Sequence, residues 1–473
     1  MTQPLPTIPI ECLHLETGVV LLFLAMVVRT QFDRAADPDY DAQRGLPFLR
    51  WLPLFFVLTG SVFFALLRHT SPLLGVELAA GIALSLLHPA NALCFMLHLS
   101  VLRPWEIESG NPVLTLMPRL AIWLCIFSWL IHRDQHARVS WRDVRGVRFL
   151  VGFAAWVLIS TIKAPDMIAS MADWFGTFSA IFTVFGLTLF LITSERCVRQ
   201  VQLTLAISSL SLIANGIYQF FSGGLTLESG RLQSSGMLGD PNDMGALVVM
   251  ALPFALAPVF EETSGALTKA SGLFYAASAA VLVWLTRSRG TMLALVAQFL
   301  VVRLVRSKRS RMSLILTTVL AGAGYMGLMS LVPRAAEDME GSQNGRLTFW
   351  KAAANIAVKN PLFGVGFGQF STHYESYIVG PVTVRGKRTA HSSWFLALAE
   401  SGFVGFFLFC AFFASVVRVA WRDRARRPGQ LYALGGYGVA MSFLSHTYTS
   451  YYYVLMALIL ASAGLKGKVH DGA

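Results

Sequence analysis

The sequence predicts an all-α polytopic membrane protein of about twelve to fourteen transmembrane helices, carrying one large polar loop. Three observations predict it. The chain has 473 residues, 55% of them hydrophobic and 14% charged, with a mean hydropathy of +0.58, beyond the range of a water-soluble globular protein. Apolar runs such as 173–193, 198–221, 312–332 and 392–417 are each long enough to cross ~30 Å of hydrocarbon as helix. The apolar residues show no alternation of period two, which excludes an outer-membrane barrel.

In chain order the expected spans are 13–28, 51–67, 72–88, 90–103, 117–132, 146–163, 173–193, 198–221, 243–260, 269–285, 290–305, 312–332, 392–417, 431–447 and 448–465. The first is short, and His88-Pro89 makes 72–103 either one broken helix or two short ones, because proline disfavours continuation there. The whole chain reads as a single transmembrane helical domain, 1–473, with the loop 333–391 inside it. The N-terminus lacks a basic region and carries Glu11 and Glu16, so no cleavable signal peptide is expected.

The formal charge of +12 is concentrated at helix ends. Arg133, Arg138, Arg142, Arg145 and Arg148 form one cluster, Arg303, Arg306, Lys308, Arg309 and Arg311 a second, and Arg418, Arg422, Arg424, Arg426 and Arg427 a third. Such clusters orient helices by the positive-inside rule, and no nucleic-acid partner is implied. Placing all three in the cytoplasm puts loops 164–172, 222–242, 286–290 and 333–391 together on the outer face. The five cysteines, Cys12, Cys94, Cys125, Cys197 and Cys410, lie in or beside apolar segments without CxxC spacing, and read as small core residues.

The loop 333–391 has polar chemistry that a bilayer does not require. Its GRLTFWKAAANIAVKN run has the spacing of an amphipathic helix with Leu347, Trp350, Ala354 and Ile356 or Ala357 on one side, ended by Asn360-Pro361. Gly364, Gly366 and Gly368 follow in a glycine turn that permits close backbone approach.

Three constellations stand out. His391 sits where this loop meets the next apolar helix; an imidazole there can exchange a proton near neutral pH, or simply cap the helix, a role Ser392 and Ser393 fit equally well. Glu400 lies farther along that helix, on an azimuth opposite to His391, and is expected to contact another helix or orient the loop. A cationic set, Arg231, Arg287, Arg289, Arg346, Arg385, Lys387 and Arg388, falls on the outer face against the topological bias, and arginines there suit a diphosphate through forked, charge-assisted hydrogen bonds. The GDPND turn places Asp240 and Asn242 before an apolar helix, with Asn242 or Asp243 as the expected cap; its functional reading is to orient an arginine or an acceptor hydroxyl. No P-loop, DxD, HExxH or paired His/Cys cluster lies in an outer loop, so neither a metal nor another cofactor is expected.

The order of these motifs, Asp-Pro-Asn, Ser-Arg-Gly, Gly-Arg-x-x-x-Trp, Asn-Pro-x-x-Gly-x-Gly, Ala-His-Ser and Ala-Glu-x-Gly-x-x-Gly, resembles the bacterial O-antigen ligase and polymerase superfamily over about residues 235–410. The resemblance implies a metal-independent, GT-C-like glycosyltransferase of the inner membrane that acts at its periplasmic face on a glycan carried by undecaprenyl diphosphate. It implies Arg289 and Arg346 as donor-diphosphate ligands and His391 beside the anomeric carbon. Arg287, Arg231, Arg388, Asp240 and Asn242 are the further substrate-binding candidates, and Glu400 and Trp350 the orienting ones. Ser392 departs from the commoner Ala-His-Asn, which bears on the subfamily. The acceptor is expected to be lipid A core, with a growing glycan or a protein hydroxyl as alternatives. A transporter of lipid-linked sugar would place charges midway through several helices, whereas the helix interiors here are nearly charge-free apart from Glu77 and Glu400.

Overall fold

The computed structural model describes residues 72–103, 112–132, 144–221, 230–232, 240–262, 264–306, 322, 336–379 and 386–465, with side chains of the long loop helix from Gly345 onward. These residues form fourteen α-helices: α1 (Pro72–Leu87), α2 (Pro89–Leu102), α3 (Pro112–Ile131), α4 (Val147–Ser160), α5 (Met167–Leu191), α6 (Glu195–Phe221), α7 (Pro241–Leu256), α8 (Ala266–Thr286), α9 (Arg289–Arg306), α10 (Ala336–Lys359), α11 (Phe370–His373), α12 (Ser393–Arg422), α13 (Pro428–Ala440) and α14 (Ser450–Gly464). Segment 72–103 is two helices, with Pro89 at the first position of α2, where its missing N–H costs nothing. The expected spans 13–28, 51–67 and most of 312–332 lie outside the described residues.

Among the described residues, five helices are long and apolar enough to cross a membrane: α5, α6, α7 with the turn that follows it, α8 and α12. Only 28% of the apolar window of α8, and of α12, is buried within the protein. Leu273, Phe274 and Trp284 on α8 and Phe403 and Phe407 on α12 are exposed, and water would penalise so much apolar area. A bilayer removes that penalty. The inner layers are α7, α13 and α14, whose residues 244–251, 431–434 and 452–461 are almost wholly buried.

Charged and polar contacts mark the two ends of the bundle. At one end Glu195, at the start of α6, is bonded to Arg426 and Arg427 between α12 and α13, and Arg427 also holds Asp423. At the other, the segments before α7, between α8 and α9, before α12 and between α13 and α14 come together around Asn242, Ser288, Ser393 and His446.

α12 is broken at Gly402, whose φ of 65° and ψ of −169° are open to glycine alone. The break frees backbone groups that the segment after Asn360-Pro361 uses: Val365 N–H donates to Ala399 O at 2.9 Å and Phe403 N–H to Pro361 O at 2.8 Å. A β-carbon on Gly364 would sit 2.1 Å from Ala399 O. The Trp156 indole N–H, from α4, reaches both Leu362 O and Ser401 O. Asn-Pro-x-x-Gly-x-Gly and Ala-Glu-x-Gly are therefore two halves of one backbone dock.

Candidate functional site

α10 is longer than expected, and its buried side matches the anticipated one only in part: Ile356 and Ala357 are buried, Leu347 is not. Phe349, Ala352, Ala353 and Ile356 pack with Val365, Phe370, Tyr374, Ala390, Leu396 and Ala399 into a second small core, whereas Leu347 is half exposed. The alanines let α10 lie close against the start of α12, and that contact turns Leu347 outward. The helix ends at Lys359, as Asn360-Pro361 requires. Asn355 and Asn360 tie it to Tyr377 through the Tyr377 carbonyl and hydroxyl. The approach to His391 is fixed by the Tyr374 hydroxyl donating to Gly386 O and by Glu375 accepting from Gly386 N–H.

His391 follows Ala390 out of this small core with a φ of 47°, in the left-handed region. Its half-buried ring lies against Phe349, centroids 5.8 Å apart. Burial is the main influence lowering its pKa below 6.5, and the Arg346 cation adds to it; Asp240 and Asp243 pull the other way, and Arg388 contributes a further push down. The ring is consequently held neutral at physiological pH and can accept a proton.

Arg346 stands opposite, half-buried on α10, with its guanidinium over the Phe443 ring at 6.0 Å. Burial draws its pKa down and Asp240 opposes this, yet an arginine stays cationic in either case. Among the described residues it makes no hydrogen bond. Trp350, one turn on, stacks on Phe395 with centroids 5.3 Å apart. Phe443 also closes on Gly290, where an added β-carbon would lie 3.2 Å away, so the start of α9 packs against the platform under Arg346.

The cap of α7 is Asp240, which accepts from Asn242 N–H at 2.7 Å; this corrects the expectation of Asn242 or Asp243, because Pro241 takes the first helical position and shifts the cap back. Asn242 is thereby free for tertiary contacts. Its Oδ1 accepts from Ser288 Oγ at 2.6 Å and from the Arg231 guanidinium at 3.5 Å, while its amide donates to Asp240. Arg231 Nε also donates to Thr286 O at 2.9 Å. Arg287 closes α8 with a φ of 48° and Arg289 opens α9, both half-buried. The structure thus brings together Arg231, Asp240 and Asn242 on one side and Arg346 and His391 on the other. Arg388 and Lys387 are exposed, and Arg385 lies outside the described residues.

Glu400 is not in this group. It is 3% exposed and its Oε1 accepts from Phe370 N–H at 3.1 Å, joining α12 to α11 beneath the loop. Tyr448 is partly buried near it and interacts with its carboxyl. Ser392 sits at the cap position of α12 but its side chain makes no capping bond. The Ser393 hydroxyl is diverted from capping too: it donates to Leu444 O at 2.7 Å and accepts from His446 N–H at 2.9 Å.

His446 escaped the sequence reading. It is 3% exposed, with Nε2 2.8 Å from Asp243 Oδ1 and Nδ1 2.8 Å from the Tyr437 hydroxyl; the Tyr451 hydroxyl stands 3.0 Å from Nε2. The signal was the polar SHTYTS stretch between two apolar runs, on the same side as the other outer loops.

The fold and this site define a polytopic helical membrane protein with a cationic, histidine-bearing site built at one end of its bundle. Residues 274–410 match the family model described as O-antigen ligase, which supports the likeness to the O-antigen ligase and polymerase superfamily. The match includes Arg287, Arg289, Arg346, His391 and Glu400, and supports glycan ligation or polymerisation by a glycosyltransferase-type enzyme. No curated protein matches the chain.

Proposed function

We propose that this protein transfers a glycan from undecaprenyl diphosphate to an acceptor hydroxyl at the periplasmic face of the bacterial inner membrane, joining O-antigen to lipid A core with inversion at the anomeric carbon. The observation that carries this reading is Arg346 beside His391: a desolvated cation making no hydrogen bond among the described residues, facing an imidazole held neutral. A lipid diphosphate is already an activated leaving group. Arg346, with Arg289 and Arg287 from the neighbouring helix ends and Arg231 from the segment before α7, would hold its oxygens and stabilise the charge that develops as it departs.

His391 then takes the proton of the acceptor hydroxyl as that oxygen bonds to the anomeric carbon and the bond to the diphosphate breaks. The proton resides on the imidazole until solvent removes it, and undecaprenyl diphosphate leaves as the anion. Attack from the face opposite the leaving group inverts the centre, and the arginines supply the electrostatic work without a metal. Exposed apolar faces on α8 and α12, flanking this end, suit a lipid-linked donor.

Incubating the purified protein with a lipid-diphosphate glycan and, separately, lipid A core, a growing glycan and an acceptor protein tests the assignment. Product on lipid A core is expected. Product only as longer glycan would make it a repeat-unit polymerase, and product on protein an O-oligosaccharyltransferase. Absence of product with every acceptor would overturn the enzymatic reading in favour of transport.

A further inference from the structure

Asp243 and His446 lie outside the matched residues 274–410, yet they form a partly buried, hydrogen-bonded polar pair at this end of the bundle. A carboxylate only accepts, so His446 Nε2 carries the proton donated to Asp243. In the neutral ring Nδ1 then accepts from the Tyr437 hydroxyl, and one tautomer is fixed. The loop bearing this imidazole is stitched to the helix start beside His391: Ser393 Oγ accepts from His446 N–H, and Thr447 Oγ1 donates to Ser393 O. Asp243 is 24% exposed, with no other side-chain hydrogen bond among the described residues, and its charge reaches His391.

We propose that Asp243 and His446 are positioning residues for His391: His446 holds the Asp243 carboxylate in place, and that carboxylate balances the imidazolium formed when His391 takes the acceptor's proton. The proposal rests on the reading of His391 as general base. The groups acting on His391 come from three places: Arg346 on α10, Asp240 and Asp243 at the start of α7, and Arg388 on its own segment. Among them Asp243 is the carboxylate with a dedicated buried partner. A purely structural pair would secure the α7 to α14 junction without altering how His391 titrates.

Two readouts on the full chain in lipid nanodiscs test this. In Asp243→Asn, which keeps the shape of the side chain, His391 followed by isotope-edited histidine resonances should titrate about half a unit or more lower. Transfer from a lipid-diphosphate glycan should lose about tenfold in kcat, with little change in KM for the donor and an acid limb moved the same way. His446→Gln, whose amide can still donate to Asp243, should keep His391 nearer its wild-type titration than His446→Phe does. An unchanged His391 titration in Asp243→Asn would overturn the proposal. If the wild type transferred to no acceptor, the glycosyltransferase reading would fall, and the His391 titration would still decide whether Asp243 governs that imidazole.

Discussion

Ser393 holds His446 by its main chain: the serine hydroxyl accepts from His446 N–H at 2.9 Å and donates to Leu444 O at 2.7 Å, both fully buried. A residue that the sequence offers as a helix cap is instead the tie between α12 and the α13–α14 loop. Ser393→Ala leaves one buried N–H and one carbonyl without partners, so a loss of about 1–3 kcal/mol is expected. Thermal unfolding in detergent measures it, with Ser179→Ala, an exposed serine on α5, changing little.

Gly402 tolerates no side chain. Its dihedrals belong to glycine, and a β-carbon would lie 2.4 Å from Leu362 O in the docked loop. Gly402→Ala should cost more than about 2 kcal/mol and loosen the loop together with the helix. Gly176→Ala in α5, where an added β-carbon meets nothing within 4 Å, should be neutral or slightly stabilising. Limited proteolysis after Asn360 separates the two variants.

Arg346→Lys keeps the charge but loses the planar fork. On the proposed function it should raise KM for the lipid-diphosphate donor about tenfold, and Arg346→Ala more, because a diphosphate is held by paired hydrogen bonds. Equal donor KM in the wild type and both variants would remove Arg346 from the donor site.

The pH dependence follows from His391. Its folded pKa lies below the unfolded value of about 6.5, so the unfolded chain binds more protons between those two values and stability rises with pH across that window. Denaturation followed from pH 5 to pH 8 should show this rise, and His391→Ala should flatten it. The same variant should lose at least about a hundredfold in transfer while still inserting, the loss expected for removal of a general base.

Most helices were legible because hydropathy and length suffice for a chain that crosses a bilayer. His391, Arg346 and the cationic helix ends were legible because each stands out in its own local context. His446 was not: it pairs with Asp243 across 203 residues, and its short polar stretch sits between two apolar runs that read as nearly continuous. The apolar side of α10 was legible in part: Ile356 and Ala357 are buried as their spacing suggests, whereas Leu347 is exposed and close approach to α12 depends on Ala352 and Ala353, whose small size matters more than their hydrophobicity. The glycines of GVGFG read as a turn permitting close backbone approach, and Gly364 meets the backbone of α12 in that way; which backbone it meets is set by tertiary packing that the local sequence does not carry.

The left-handed backbone at His391 sets folding against turnover. A side chain other than glycine, asparagine or aspartate rarely adopts such a φ, at a cost of about 1–2 kcal/mol, and nothing in the packing of Ala390 or Ser392 calls for an imidazole between them. Folding alone would favour asparagine. His391→Asn should therefore unfold at no lower a temperature than the wild type while, on the proposed function, losing transfer, so variants chosen for stability will tend to discard the ring to which that function assigns the acceptor's proton.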